Sequence, residues 1–418
     1  MRRLLLLLTA LHLAGAGAAE PTPDAAAAER ALAGLKAWLT TARDQRAPVA
    51  DAAFAKVPLT KAAAARAGAM LWEDHAAILR ATGAAELKAK AIRVGEHEMK
   101  FEIVSFGEKA AAPAGGRSLF LSLHGGGGAP AEVNDSQWRN QIALAKGYRP
   151  REGLYVAPRA PTNSWMLWHE AHIDALFDRL IADLVVLENV NPNRVYVLGY
   201  SAGGDGVYQL GPRMADRWAA AAMMAGHPNS ASPLNLRNVP FAIQAGAKDT
   251  AFRRNEVAAE WGKALDALQA GDAGGYAHFT EIHEGKGHWM NLEDKKAIAW
   301  MEKFTRNPRP ERVVWRRDSP LHFRSYWLAL PRETAGVGQE IRADRRGQTI
   351  TLTTQGVAAL LVRLSDAMLD LDAPVTVLAG ERTVFAGRTA RTIGTLARTL
   401  AERGDRELMF SAEIAVQP

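Results

Sequence analysis

The sequence predicts an α/β fold: a mostly parallel sheet flanked by helices, with a helical segment before it and a small β-rich module after it. Three observations carry this. Between about residues 97 and 305, short apolar runs alternate with stretches of helical periodicity, the pattern of strands and crossover helices. Residues 21–95 are alanine-rich with apolar side chains at helical spacing. After Pro308 and Pro310 the texture turns to period-two alternation. At 418 residues the chain has room for more than one domain, and 48% hydrophobic with 23% charged residues is a globular balance.

Taken in order, residues 1–19 read as a secretory signal peptide: Arg2 and Arg3, an apolar run, then small residues. Ala16-Gly17-Ala18 and Gly17-Ala18-Ala19 both fit the cleavage rule. A membrane anchor is the alternative, but the run is short for a span of roughly 20 residues. The chain has no cysteine. That excludes a disulfide framework, a thiol nucleophile and cysteine metal ligands. Export without cysteine fits a periplasmic or secreted bacterial protein. No later apolar run reaches membrane length, so no stable membrane insertion is expected after cleavage. The net charge of +6 is spread along the chain and leaves no footprint for nucleic acid.

Residues 20–95 are expected to form helices, with Leu32, Leu35 and Leu39 on one stripe and Thr60 capping a second helix. They read as a prelude packed on the main domain rather than a lid. The main domain spans 96–308. Strands are expected at 101–106, 119–123, 154–157, 194–198, 218–225, 241–245 and 277–282. Helices are expected at 172–188, 202–211, 255–270 and 293–304. The module at 309–418 has strand-like runs at 348–353, 360–364, 375–379 and 408–416, with a short helix at 390–402. No internal repeat stands out.

Residues 199–206 read G-Y-S-A-G-G-D-G, which contains G-x-S-x-G. It follows a strand-like run and opens a helix-like one, the context in which such a serine becomes a nucleophile. A serine hydroxyl is weak at neutral pH and needs a base, which needs an orienting acid. Asp249 leaves the end of the strand at 241–245. His288 lies in a glycine-flanked loop after the strand at 277–282. The order Ser201, Asp249, His288 therefore suits one site. Asp205 is too near Ser201 along the chain to orient a base, and Asp272 lies in a glycine-rich turn. His278 and His283 sit within a strand and are expected to pack. The run His124-Gly125-Gly126-Gly127-Gly128 follows another strand; its backbone N–H groups can point into a site unobstructed. The Ala202 N–H with one or two from Gly126 and Gly127 would form the oxyanion hole. A phosphate cradle would need a following Lys-Ser/Thr, which is absent. His227, Trp165 and Trp289 are candidate pocket residues. His227 has a turn role as its alternative, and of Trp165 and Trp168 one is expected in the core. His169 and His172 stand three apart, which does not make a metal site.

On H-G-G-G at 124–127, G-x-S-x-G at 199–203, Asp249 and His288, residues 97–305 resemble the α/β-hydrolase superfamily. The likeness is strongest to the secreted polyhydroxybutyrate-depolymerase and feruloyl-esterase-like group. G-Y-S-A-G-G also resembles prolyl-oligopeptidase-type peptidases. The resemblance implies ester hydrolysis through an acyl-enzyme on a small-molecule or polymer ester, without cofactor or metal. This chain lacks the cysteines that many secreted depolymerases carry. A serine peptidase and a non-catalytic polymer-binding protein, with the C-terminal module as its adhesive part, are the competing readings. No propeller-like repeat precedes the hydrolase region, which weighs against the peptidase.

Overall fold

The computed structural model describes residues 23–107 and 113–418. The expected signal peptide lies outside the described residues. Two helices lead: α1 (Ala25–Thr40), capped by the Asp24 side chain, and α2 (Lys61–Ala89), capped by Thr60 as its sequence predicts.

The main sheet has eight strands: β1 (Ala91–Val94), β2 (His97–Phe106), β3 (Arg117–Leu123), β4 (Gly153–Pro158), β5 (Val190–Tyr200), β6 (Ala220–Met224), β7 (Phe241–Gly246) and β8 (His278–His283). Their spatial order is β1-β2-β4-β3-β5-β6-β7-β8. β2 runs antiparallel to β1 and β4, and every other neighbour pair is parallel. The sheet thus begins at residue 91, inside the stretch expected to be helical.

Alternation sorts the strand residues between two cores. Leu119, Leu121 and Leu123 face α4 (Ala171–Leu187), α5 (Ala202–Arg213) and α6 (Arg254–Gly271). Phe120, Tyr155 and Tyr196 face α3 (Ala131–Tyr148) and α7 (Lys296–Met301). Burial on both faces is why these strands read as continuous apolar runs. The helix α3 has no counterpart among the expected elements, since polar residues dilute its stripe of Trp138, Ile142 and Ala145. The helix expected at 293–304 is shorter: a single turn at Glu293–Lys295 leads into α7.

The C-terminal region holds β9 (Arg312–Arg316), β10 (Arg324–Ser325), β11 (Leu328–Ala329), β12 (Glu340–Arg346), β13 (Thr349–Gln355), β14 (Leu360–Leu364), β15 (Val375–Ala379), β16 (Arg382–Gly387), α8 (Ile393–Arg403) and β17 (Ala412–Val416). They form a five-stranded sheet, β16-β15-β13-β12-β9, and a four-stranded one, β10-β11-β14-β17. Only the end of the strand expected at 408–416 is extended. Ile341, Leu352, Val362 and Ile414 share the core of α4 and α5. α8 buries Ile393, Leu396 and Leu400 against Leu32, Leu35 and Leu71 of α1 and α2. The N-terminal helices therefore brace the C-terminal module as well as the main sheet. No helix among the described residues is long and apolar enough to cross a membrane.

Candidate active site

The turn after β5 holds Ser201 at φ 57° and ψ −123°, a strained conformation for a residue with a side chain. Its neighbours permit the bend. A Cβ on Gly199 would run into the carbonyl of Gly203, and one on Gly203 into the carbonyl of Leu123. The Ser201 N–H donates to Met224 O at 2.9 Å, which ties the turn to β6. The hydroxyl stands beside the N-terminus of α5, where the unpaired N–H groups favour negative charge.

Asp249 follows the end of β7 and is 3% exposed. His288 follows the end of β8. Its Nδ1 lies 2.8 Å from Asp249 Oδ2 and its Nε2 3.0 Å from Ser201 Oγ. With Nδ1–H donating to the carboxylate, Nε2 is left to accept from the serine hydroxyl. Tyr200 holds the loop from behind: its hydroxyl donates to His288 O at 2.6 Å and accepts from the Met290 N–H at 3.1 Å. A cavity of about 690 Å³ opens over Ser201, lined by Gly125, Gly126, Val133, Leu144, Trp289 and Leu292 among others.

The glycine loop is built by residues whose part the sequence did not reveal. His124 is fully buried, and burial drops its pKa to about 4, so it is neutral. Its Nδ1 donates to Gly125 O at 2.6 Å and its Nε2 accepts from the Ala160 N–H at 3.1 Å. Asn134, at the start of α3, accepts from the Gly127 N–H at 2.9 Å. This corrects the expectation for Gly127, whose donor is already engaged. Gly126 lines the cavity beside Ser201, and Ala202 opens α5; these two remain as candidate oxyanion donors.

His227 is also corrected. Its N–H donates to Asp205 Oδ1 at 2.6 Å, its Nδ1 accepts from the Asn229 N–H at 2.9 Å, and it does not line the Ser201 cavity. Trp289 does line that cavity and is 48% exposed. Trp165, 60% exposed, lines a neighbouring cavity instead, while Trp168 is buried in the core. Asp272 is held by Arg237 and Arg312. His278 and His283 are engaged with Asp266 and Gln244. His172 stacks on His97 with ring centroids 3.7 Å apart. No group of three potential metal ligands occurs among the described residues.

An eight-stranded sheet of this order, with an antiparallel second strand and a strained serine turn between its fifth strand and the following helix, is the α/β-hydrolase fold. No protein-family model and no curated sequence matches the chain. Solved structures similar to it include esterase PE8, at 19% identity over 49% of this chain and 98% of that one, TM-score 0.38. They also include the poly(3-hydroxybutyrate) depolymerase LpqC from Bordetella parapertussis, at 16% identity over 51% and 86%, TM-score 0.38. A carboxylesterase from Mesorhizobium loti is 17% identical over 51% and 99%, TM-score 0.35. Each likeness spans about half of this chain.

Proposed function

We propose that the protein is an exported serine hydrolase that cleaves carboxylic esters, small or polymer-linked, through an acyl-enzyme on Ser201. The observation that carries this reading is the hydrogen-bond chain from Ser201 Oγ through His288 to the buried Asp249. In the proposed reaction His288 Nε2 takes the hydroxyl proton as Oγ attacks the acyl carbon. Asp249 keeps the imidazole in the required tautomer and balances its charge. The N–H groups of Ala202 and Gly126 receive the developing oxyanion, a contribution on the order of 10²–10³ in rate per donor. His288 then gives its proton to the departing alkoxide, and the alcohol leaves. Water, deprotonated by His288, attacks the acyl carbon, and the acid departs as Ser201 is restored. The apolar lining from Val133, Leu144, Trp289 and Leu292 suits the hydrocarbon part of an ester.

Initial rates on p-nitrophenyl acetate and butyrate test this, with the matching p-nitroanilides as the peptidase comparison. The wild type is expected to hydrolyse the esters and not the anilides. Ser201→Ala should lower ester turnover by about 10⁴-fold or more, to background. Equal activity in the two proteins would overturn the assignment of Ser201.

A further inference from the structure

A second cavity, of about 400 Å³, lies between the main domain and the C-terminal module. Trp165, Arg213 and Ser232 stand on one side, and Trp315, Arg317 and His322 on the other. Trp165 is its wall toward the candidate site. It packs against Gly127 and Gly128 of the glycine loop, and its ring lies 5.8 Å from that of Phe252, three residues past Asp249.

Most of the charged groups around this cavity are paired with one another. Arg213 and His322 are both held by Asp174, at 2.5 and 2.6 Å. Arg316 is held by Asp318 at 2.8 Å and Glu340 at 3.6 Å. Burial drops the pKa of His169 to about 4, which leaves it neutral. Arg317 is 4% exposed and has no carboxylate partner among the described residues. Its Nε donates to His322 O at 3.0 Å and its Nη2 to Pro320 O at 2.9 Å. Its guanidinium lies 4.7 Å from the Phe323 ring centre. Two carbonyls engage Nε and Nη2 and the ring face offsets part of the charge, while Nη1 makes no hydrogen bond to any described residue and keeps some solvent access. A mostly buried guanidinium with a free Nη1 and no carboxylate partner gains from an anion placed in the cavity.

We propose that this cavity is a subsite for a carboxylate carried at the far end of the ester substrate, recognised by Arg317. The proposal rests on the ester-hydrolase reading. It makes the preferred substrate a half-ester of a dicarboxylic acid, or a longer ester chain that ends in a free acid.

Titration calorimetry on the Ser201→Ala protein tests it without turnover. The probes are the monomethyl esters of succinic, adipic and sebacic acids, each against its dimethyl ester. At least one monoester is expected to bind about tenfold or more tightly than its diester. Arg317→Met should abolish that preference and leave diester affinity unchanged, while Arg317→Lys should retain most of it. Arg317→Met also removes the two carbonyl bonds that shape residues 317–322. Ser232→Asp therefore serves as a second variant: it keeps a side chain able to cap the turn at Leu234 and adds a negative charge to the cavity. It should weaken monoester binding alone by about tenfold. If no monoester outbinds its diester, or if the Arg317 and Ser232 variants weaken both probes equally, the proposal is wrong. Failure of the ester-hydrolase reading would appear separately, as no turnover of either probe by the wild type, with monoester binding intact.

Discussion

Ser201, Gly199 and Gly203 show how one strained residue depends on small neighbours. The serine sits at positive φ, and α5 crosses the edge of the sheet so closely that any Cβ at 203 meets main chain. Backbone cannot swing aside as a flexible side chain can. Gly203→Ala is therefore expected to push α5 off β3, costing about 1–3 kcal/mol of stability. Ester turnover should fall by about 10²-fold as Ser201 moves relative to His288. Urea denaturation alongside initial rates measures both. At this scale the pattern G-x-S-x-G was legible because its glycines answer a local steric demand. The engagement of Gly127 by Asn134 was not legible. It depends on where the first turn of α3 lands, and α3 itself carries only a faint stripe.

At the scale of elements, the packing of α2 on α4 carries the clearest pH dependence. Gly83 lets α2 pass directly over Asp183 of α4. Both carboxyl oxygens of Asp183 are buried without a hydrogen bond, and Arg179 stands 3.6 Å away. Burial, with Glu86 alongside, pushes the Asp183 carboxyl up to about 8. The folded protein therefore keeps a proton that the unfolded chain gives up near pH 4. Stability should fall as pH rises from about 4 to about 8, by at most about 1.4 kcal/mol per pH unit. Asp183→Asn is expected to flatten this slope, so that its advantage in melting temperature over the wild type grows from pH 5 to pH 8. Parallel slopes for the two proteins would refute this origin. Helical periodicity made α2 and α4 readable in the sequence. Their contact was not, because a lone glycine in one helix and an aspartate in another carry no sign that they meet.

Across the whole molecule, an ionic knot joins the main domain to the C-terminal module. Asp405 accepts from Arg306 at 2.8 Å and Arg217 at 3.4 Å, all three nearly inaccessible. Arg217 also binds Asp178 at 2.5 Å, and Arg403 binds Asp216. Burial would raise the Asp405 carboxyl, but Arg306 and Arg217 outweigh it and hold it below the ordinary range. Removing one partner leaves buried charge uncompensated, so Asp405→Ala is expected to cost about 3–5 kcal/mol. Scanning calorimetry should show the wild type melting in one transition, because the knot and a continuous apolar core couple the two regions. In the variant the C-terminal module should separate as an earlier transition, or the whole protein should melt at a lower temperature.

The alternation of strands and helices, the serine turn, and the chain order of Ser201, Asp249 and His288 can all be read from local patterns along the chain. Each of these follows from local chemistry: periodic burial, glycine at a tight bend, and polar residues just past apolar strands. Tertiary structure alone decided that His288 reaches both partners within hydrogen-bond distance. It also decided that Gly127 is already engaged, that His227 belongs to a turn, and that Trp165 faces a second cavity with Arg317 on its far wall. Those outcomes join residues up to about 150 positions apart, and such distances close only when the helices and both sheets pack into shared cores.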